Sequence, residues 1–161
     1  MGRRAAMADH VLDARVWIGR PRPDVFAFFA DPAKLEALTP PALGLELLSA
    51  AAPLTTGAVL DYRLRWLGVP LRWRAYVREF DPPFRFLDVQ LRGPYARWEH
   101  RHRFLEDGAG TIVEDRVVYR LPLGAVGRAL HVALVARQLR VAWAYRTRRL
   151  AELLGPVRPA A

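Results

Sequence analysis

From Gly44 to about Arg120, apolar and polar side chains alternate with a period of two, the mark of strands with one buried face. In GAVLDYRLRWL (57–67), Leu60, Tyr62, Leu64 and Trp66 share one face, while Asp61, Arg63 and Arg65 take the other. In PLRWRAYVREF (70–80), Leu71, Trp73, Ala75 and Val77 oppose Arg72, Arg74 and Arg78. A two-residue hairpin loop at Gly68-Val69 would pair Trp66 with Leu71, Leu64 with Trp73 and Tyr62 with Ala75, with both apolar sets on one side. FRFLDVQLR (84–92), YARWEHRHRFL (95–105) and GTIVEDRVVYRL (110–121) continue as strands, parted by Gly93-Pro94 and by a loop at 107–110. Ahead of this meander, DHVLDARVWIG (9–19) alternates as a first strand. Two short helices follow it: VFAFFA, capped by Asp24, and DPAKLEALTPP (31–41), opened by Asp31-Pro32 and stopped by Pro40-Pro41. From about Gly124 to Leu154 apolar residues recur at three and four (Val132, Val135, Leu139, Trp143, Leu150, Leu153), which predicts one long C-terminal helix. Arg146, Arg148 and Arg149 near its end complement the helix dipole and need no ligand to explain them.

The 161 residues suffice for one domain with a sizeable core, expected over 9–154, with residues 1–8 a flexible extension and 155–161 a tail. The order is strand, two short helices, about six meandering strands, long helix. With it go the segments RPRPDVFAFFADPAKLEALTP, VREFDPPFRF, GPYARWEHRHRF and GTIVEDRVVYRLPLG. Together these resemble the START-like (SRPBCC) superfamily, and within it the small bacterial ligand-binding or polyketide cyclase/dehydrase-like proteins. The resemblance implies an α+β helix-grip fold, a curved antiparallel sheet of about six to seven strands wrapped round the long C-terminal helix. Inward residues of such a sheet line a cavity. The superfamily has no single catalytic signature to carry over residue by residue.

The densest chemistry lies in WEHRHRF (98–104). Alternation sends Arg97, Glu99, Arg101 and Arg103 to water and Trp98, His100, His102 and Phe104 inward, where unpaired polar groups are costly. With residues 107–110 as the loop, Phe104 lies opposite Val113, His102 opposite Asp115 and Trp98 opposite Tyr119, so Asp115 is the natural partner of His102. Three readings stand open. The His–Asp pair orders the sheet; or, with Tyr119, Tyr62 and either Asp88 or Gln90, it orients a mainly apolar ligand; or it serves catalysis or a metal. For catalysis the candidates are His100, His102 and Asp115, because an imidazole titrates near neutral pH. For zinc, two histidines need a third protein ligand that spacing does not supply, so no metal and no cofactor is expected. The expected ligand-binding set is Tyr62, Leu64, Trp66, Trp73, Trp98, His100, His102, Phe104, Asp115 and Tyr119. Trp17 and Trp143 are expected in core or cavity wall. The strand at 84–92 is ambiguous: Phe86, Asp88 and Gln90 facing inward leaves Leu87, Val89 and Leu91 outward, which suits a bulge or a homodimer contact.

Composition narrows the functions. The net charge is +9, which favours phosphate-bearing partners, but Lys34 is the only lysine among 25 basic residues, and the arginines are scattered through strands and helix. No sequence-specific nucleic-acid site is expected, and a basic module on nucleic acid or anionic membrane ranks third. With no cysteine, disulfides, thiol catalysis and cysteine-ligated metals are excluded. No phosphate-binding glycine loop is present, and no apolar run is long enough for an integral membrane contact or a signal peptide, so a cytoplasmic location is expected. The leading expectation is binding of a hydrophobic or aromatic small molecule (lipid, quinone or polyketide-like), the main alternative an aromatase/cyclase or dehydratase using the same pocket.

Overall fold

The computed structural model describes residues 9–50 and 53–160; the extension expected over 1–8 lies outside the described residues. The strands are β1 (His10–Ile18), β2 (Glu46–Ala50), β3 (Val59–Trp66), β4 (Val69–Asp81), β5 (Arg85–Arg92), β6 (Arg97–Asp107), β7 (Gly110–Arg120) and β8 (Val157–Pro159). They form one antiparallel sheet in the order β2-β3-β4-β5-β6-β7-β1-β8. Helices α1 (Arg22–Phe29) and α2 (Lys34–Ala37) follow β1; α3 (Gly124–Leu130), a π-helical turn (His131–Val135) and α4 (Ala136–Leu154) follow β7. The sheet and closing helix form the α+β helix-grip arrangement, with eight strands where alternation reveals about six or seven. The stretch expected as a C-terminal tail supplies the eighth, pairing Val157–Pro159 with Ile18–Val16 of β1.

Local chemistry shifts several boundaries. Helix α1 begins two residues before Asp24, which lies in its first turn rather than capping it; Pro23 sits in that turn too, where a missing N–H costs nothing. The β3–β4 hairpin turns at Leu67-Gly68, not Gly68-Val69. A two-residue turn of this hand needs positive φ at both central residues, and these have φ 50° and 83°. Trp66 therefore pairs with Val69, Leu64 with Leu71 and Tyr62 with Trp73, a slip of two that keeps every apolar side chain on its face. Between β6 and β7 the turn shrinks to Gly108-Ala109, and the expected register holds: Phe104 opposite Val113, His102 opposite Asp115, Trp98 opposite Tyr119. The π turn divides what periodicity reads as one regular helix.

The ambiguous strand is settled. Phe86 and Asp88 face the closing helix, while Gln90 donates to the Tyr95 carbonyl (2.7 Å) and accepts from its N–H (3.3 Å). That clamp occupies the space a side chain at Gly93 would need. Outward Leu87 is nevertheless buried, because Glu79 and Arg101 flank it on β4 and β6 and their ion pair (3.5 Å) spans it. Of the outward residues of β5, Leu87 is thus covered, whereas Leu91 stays exposed. Phe104 and Val113 join Ile18, Val25, Phe26, Phe86 and Leu150 in one core cluster; Tyr95, Val117, Tyr119, Val135 and Leu139 form a second, and Leu60, Tyr62, Ala75 and Val77 a third. Each large side chain so buried contributes about 1.5–3 kcal/mol. No helix of the described residues is long and apolar enough to cross a membrane.

Candidate functional site

A cavity of about 240 Å³ lies among the three clusters, between α4, the α1–α2 segment and the inner faces of β3 to β6. Strand alternation delivers Tyr62, Leu64 and Trp66 from β3, Trp73 from β4, and Trp98, His100 and His102 from β6 to its wall. Three other residues of the expected set lie off it. Phe104 sits farther along β6, under Phe26 and Phe29 (ring centroids 5.1 and 5.4 Å). Tyr119 is covered by Tyr95 (5.8 Å), and its hydroxyl meets His131 Nε2 at 2.8 Å. Asp115 lies behind the histidines. Trp17 is also remote, its indole donating to the Asp107 carbonyl at 3.2 Å, whereas Trp143 lines the cavity.

The polar end of the cavity is a buried cluster built around Asp115. His100 Nε2 lies 3.2 Å from its Oδ1, and His102 Nδ1 lies 2.6 Å from the same oxygen, close but off the hydrogen-bond direction. Arg146 Nε stands 3.6 Å from Oδ2. On the other side of His102, Nε2 is 3.6 Å from Asp88 Oδ1. Burial raises the proton affinity of the Asp115 carboxyl, but Arg146 and His102 overcome this and hold it well below the usual carboxylate range. Burial and the neighbouring His102 lower His100 below the ordinary imidazole value. For His102 burial works against the charge, yet Asp115 and Asp88 outweigh it and raise the imidazole above its ordinary value. The cluster thus sets two imidazoles and a guanidinium against the carboxylates of Asp115 and Asp88. Burial, with Asp88 adding, raises the Tyr62 phenol.

Several contributors were not in the expected set. Arg146, expected to complement the helix dipole with no ligand, is 8% exposed, lines the cavity and stacks over Phe29 (4.9 Å). Its signal was available: Leu139, Trp143, Arg146 and Leu150 follow one helical stripe, so the arginine occupies an apolar position. Phe28, Phe29, Leu35 and Leu38 line the cavity from the α1–α2 segment, and Lys34 stands there 3.9 Å from Asp31. Trp143 Nε1 and Gln138 Oε1, on lining residues of α4, have no hydrogen-bond partner among the described residues. One ligand atom each from Asp88, His100 and His102 lies within 4.8 Å of the others, a spacing a metal ion could draw in.

No protein-family model and no curated protein sequence matches the chain. Solved structures do. The protein TTHA0849 from Thermus thermophilus is 24% identical, with a TM-score of 0.70 over 89% of this chain and 95% of that one. Norcoclaurine synthase of Thalictrum, a point mutant in complex with a transition-state analogue, is 12% identical, with a TM-score of 0.69 over 94% and 97%. The di-domain ARO/CYC StfQ from the steffimycin biosynthetic pathway is 12% identical, with a TM-score of 0.69 over 91% of this chain and 50% of that one. At these identities the likeness is one of fold, and the chain has the START-like helix-grip fold.

Proposed function

We propose that the protein binds a hydrophobic or aromatic small molecule, of the lipid, quinone or polyketide-like kind, in the cavity between sheet and closing helix. The observation that carries this reading is the lining. Tyr62, Leu64, Trp66, Trp73, Trp98 and Trp143 supply a largely aromatic wall, while His100, His102, Asp88 and Arg146 gather at a polar patch, with Asp31 and Lys34 on the α1–α2 side. An apolar body with an oxygen-bearing end fits that lining, the body displacing water from aromatic walls and the oxygen meeting the polar side chains of the patch. Mass spectrometry under native conditions, on freshly purified protein, tests it. A bound organic molecule that is lost on denaturation is expected; a protein that carries none and takes up no apolar compound argues against it.

The contact between His102 and two carboxylates favours one alternative, acid–base catalysis in the same pocket of the aromatase/cyclase or dehydratase type. In that reading His102 would donate a proton to a substrate oxygen while Asp115 steadies the imidazole and His100 lies within reach. Turnover of a bound carbonyl compound, lost in His102→Gln with binding retained, separates catalysis from binding.

A further inference from the structure

We propose that Asp88, His100 and His102 form a binding site for a divalent transition-metal ion in the cavity wall. The site stands apart from the identity of any organic ligand. The H-x-H spacing of β6 puts both imidazoles on one face, and sequence spacing alone offers no third ligand. The fold does: the β5–β6 register sets Asp88 directly opposite His100 and Phe86 opposite His102, so Asp88 is neighbour to both histidines on the inward face.

One ligand atom from each of the three lies within 4.8 Å of the other two, and the His102 Nε2 to Asp88 Oδ1 separation is 3.6 Å. Ligands on a tetrahedral ion with bonds near 2.0 Å stand roughly 3.3 Å apart, so that edge is almost in place. Asp88, with 23% of its side chain exposed, has room to close the others.

Independent support comes from what stands behind the ligands. Metal-bound histidines commonly pass their second nitrogen to a carboxylate, which fixes the ring and strengthens it as a ligand. Asp115 stands behind both rings: His100 Nε2 is in hydrogen-bond contact with its Oδ1 at 3.2 Å, and His102 Nδ1 lies 2.6 Å from the same oxygen, off the hydrogen-bond direction, leaving His102 Nε2 turned to Asp88. Arg146 holds the far oxygen of Asp115 at 3.6 Å. Its positive charge opposes an ion, and the carboxylates of Asp88 and Asp115 offset it. All three ligand residues also line the cavity, so coordination positions not taken by protein face the space where a small molecule would sit. Two imidazoles and a carboxylate suit zinc, cobalt, nickel, copper or iron better than calcium or magnesium.

The test is calorimetric titration of the chelator-stripped full chain with Zn²⁺ and Co²⁺, with elemental analysis after desalting and absorption spectra of the cobalt form. One ion per chain is expected, with cobalt bands showing nitrogen and oxygen coordination. Asp88→Ala should weaken binding by at least about tenfold, and Asp115→Asn by about 10–100-fold, the usual cost of losing an outer carboxylate. The half-buried pair His10 and His131, stacked at 3.6 Å and outside the cavity lining, provides the control, and His131→Ala should leave uptake unchanged. Asp88 is partly exposed, so its variant keeps the test valid if buried His102→Ala fails to fold. No stoichiometric uptake by the native chain, uptake unaltered by Asp88→Ala, or uptake abolished by His131→Ala would each overturn the proposal.

Discussion

Replacing Asp115 by asparagine keeps the shape of the residue and removes the charge on which three buried groups depend. Its side chain is 6% exposed; Arg146 faces one oxygen at 3.6 Å, and both histidines share the other. The substitution leaves a guanidinium and an imidazole facing a neutral amide where water cannot easily reach them. Breaking a buried pair in this way costs about 3–5 kcal/mol. Domain stabilities run to about 5–15 kcal/mol, so about a fifth or more of the total is at stake. For a chain of this size that corresponds to a melting temperature lower by about 6–20 °C. Urea unfolding at pH 7, followed by far-ultraviolet circular dichroism, measures it. Adding Arg146→Met to Asp115→Asn removes the stranded cation, and the double variant should regain at least about 1 kcal/mol relative to additivity. A loss under about 1 kcal/mol in the single variant, or no coupling in the cycle, would refute the view that Asp115 organises the cluster.

Other consequences follow from the same geometry. Phe104→Ala should cost about 3–5 kcal/mol in thermal or urea unfolding while leaving the affinity for an apolar probe unchanged, since the ring packs on Phe26 and Phe29 away from the cavity. Ala142→Phe on α4 should do the reverse, removing probe uptake at a stability cost of roughly 1–3 kcal/mol, because Ala142 lines the cavity. Burial and the adjacent His10 lower the His131 imidazole, so its neutral form is favoured by folding. That contribution is fully present above the ordinary histidine value near 6.5 and is lost as pH falls through the lower folded value. Between pH 7 and 5, NMR should show the segment at 124–135 loosening, and His131→Gln should blunt that change.

How far the sequence can be read depends on which physical rule governs each residue. Alternation is strict in a strand, so the inward faces of β3, β4 and β6 and the pairing of His102 with Asp115 are legible without coordinates. The two-residue slip at Leu67-Gly68 is not: a hairpin can place its glycine at either turn position, and the face of Tyr62 and Trp73 is the same in both registers. Alternation also reports a face and not a height, which is why Phe104 and Tyr119 point inward yet miss the cavity. The place of Asp88 beside the histidines follows from the β5–β6 register, which pairs it with His100, and alternation within β5 alone does not supply that register. The place of Arg146 near a helix end points to the dipole, whereas its place on the Leu139–Trp143–Leu150 stripe, the stronger signal, points to the burial that the fold gives it. The residues of α1 and α2 that close the cavity carry no periodic mark of that role in so short a segment.

The most direct test of the central claim is a titration of the native chain with apolar aromatic compounds of increasing size, read by tryptophan fluorescence. Trp66, Trp73, Trp98 and Trp143 all line the cavity, so occupancy must alter their emission. Saturable one-to-one binding is predicted, with affinity rising until the compound outgrows the cavity and vanishing in Ala142→Phe. No saturable change for any compound, or an unaltered response in the filled variant, would contradict it.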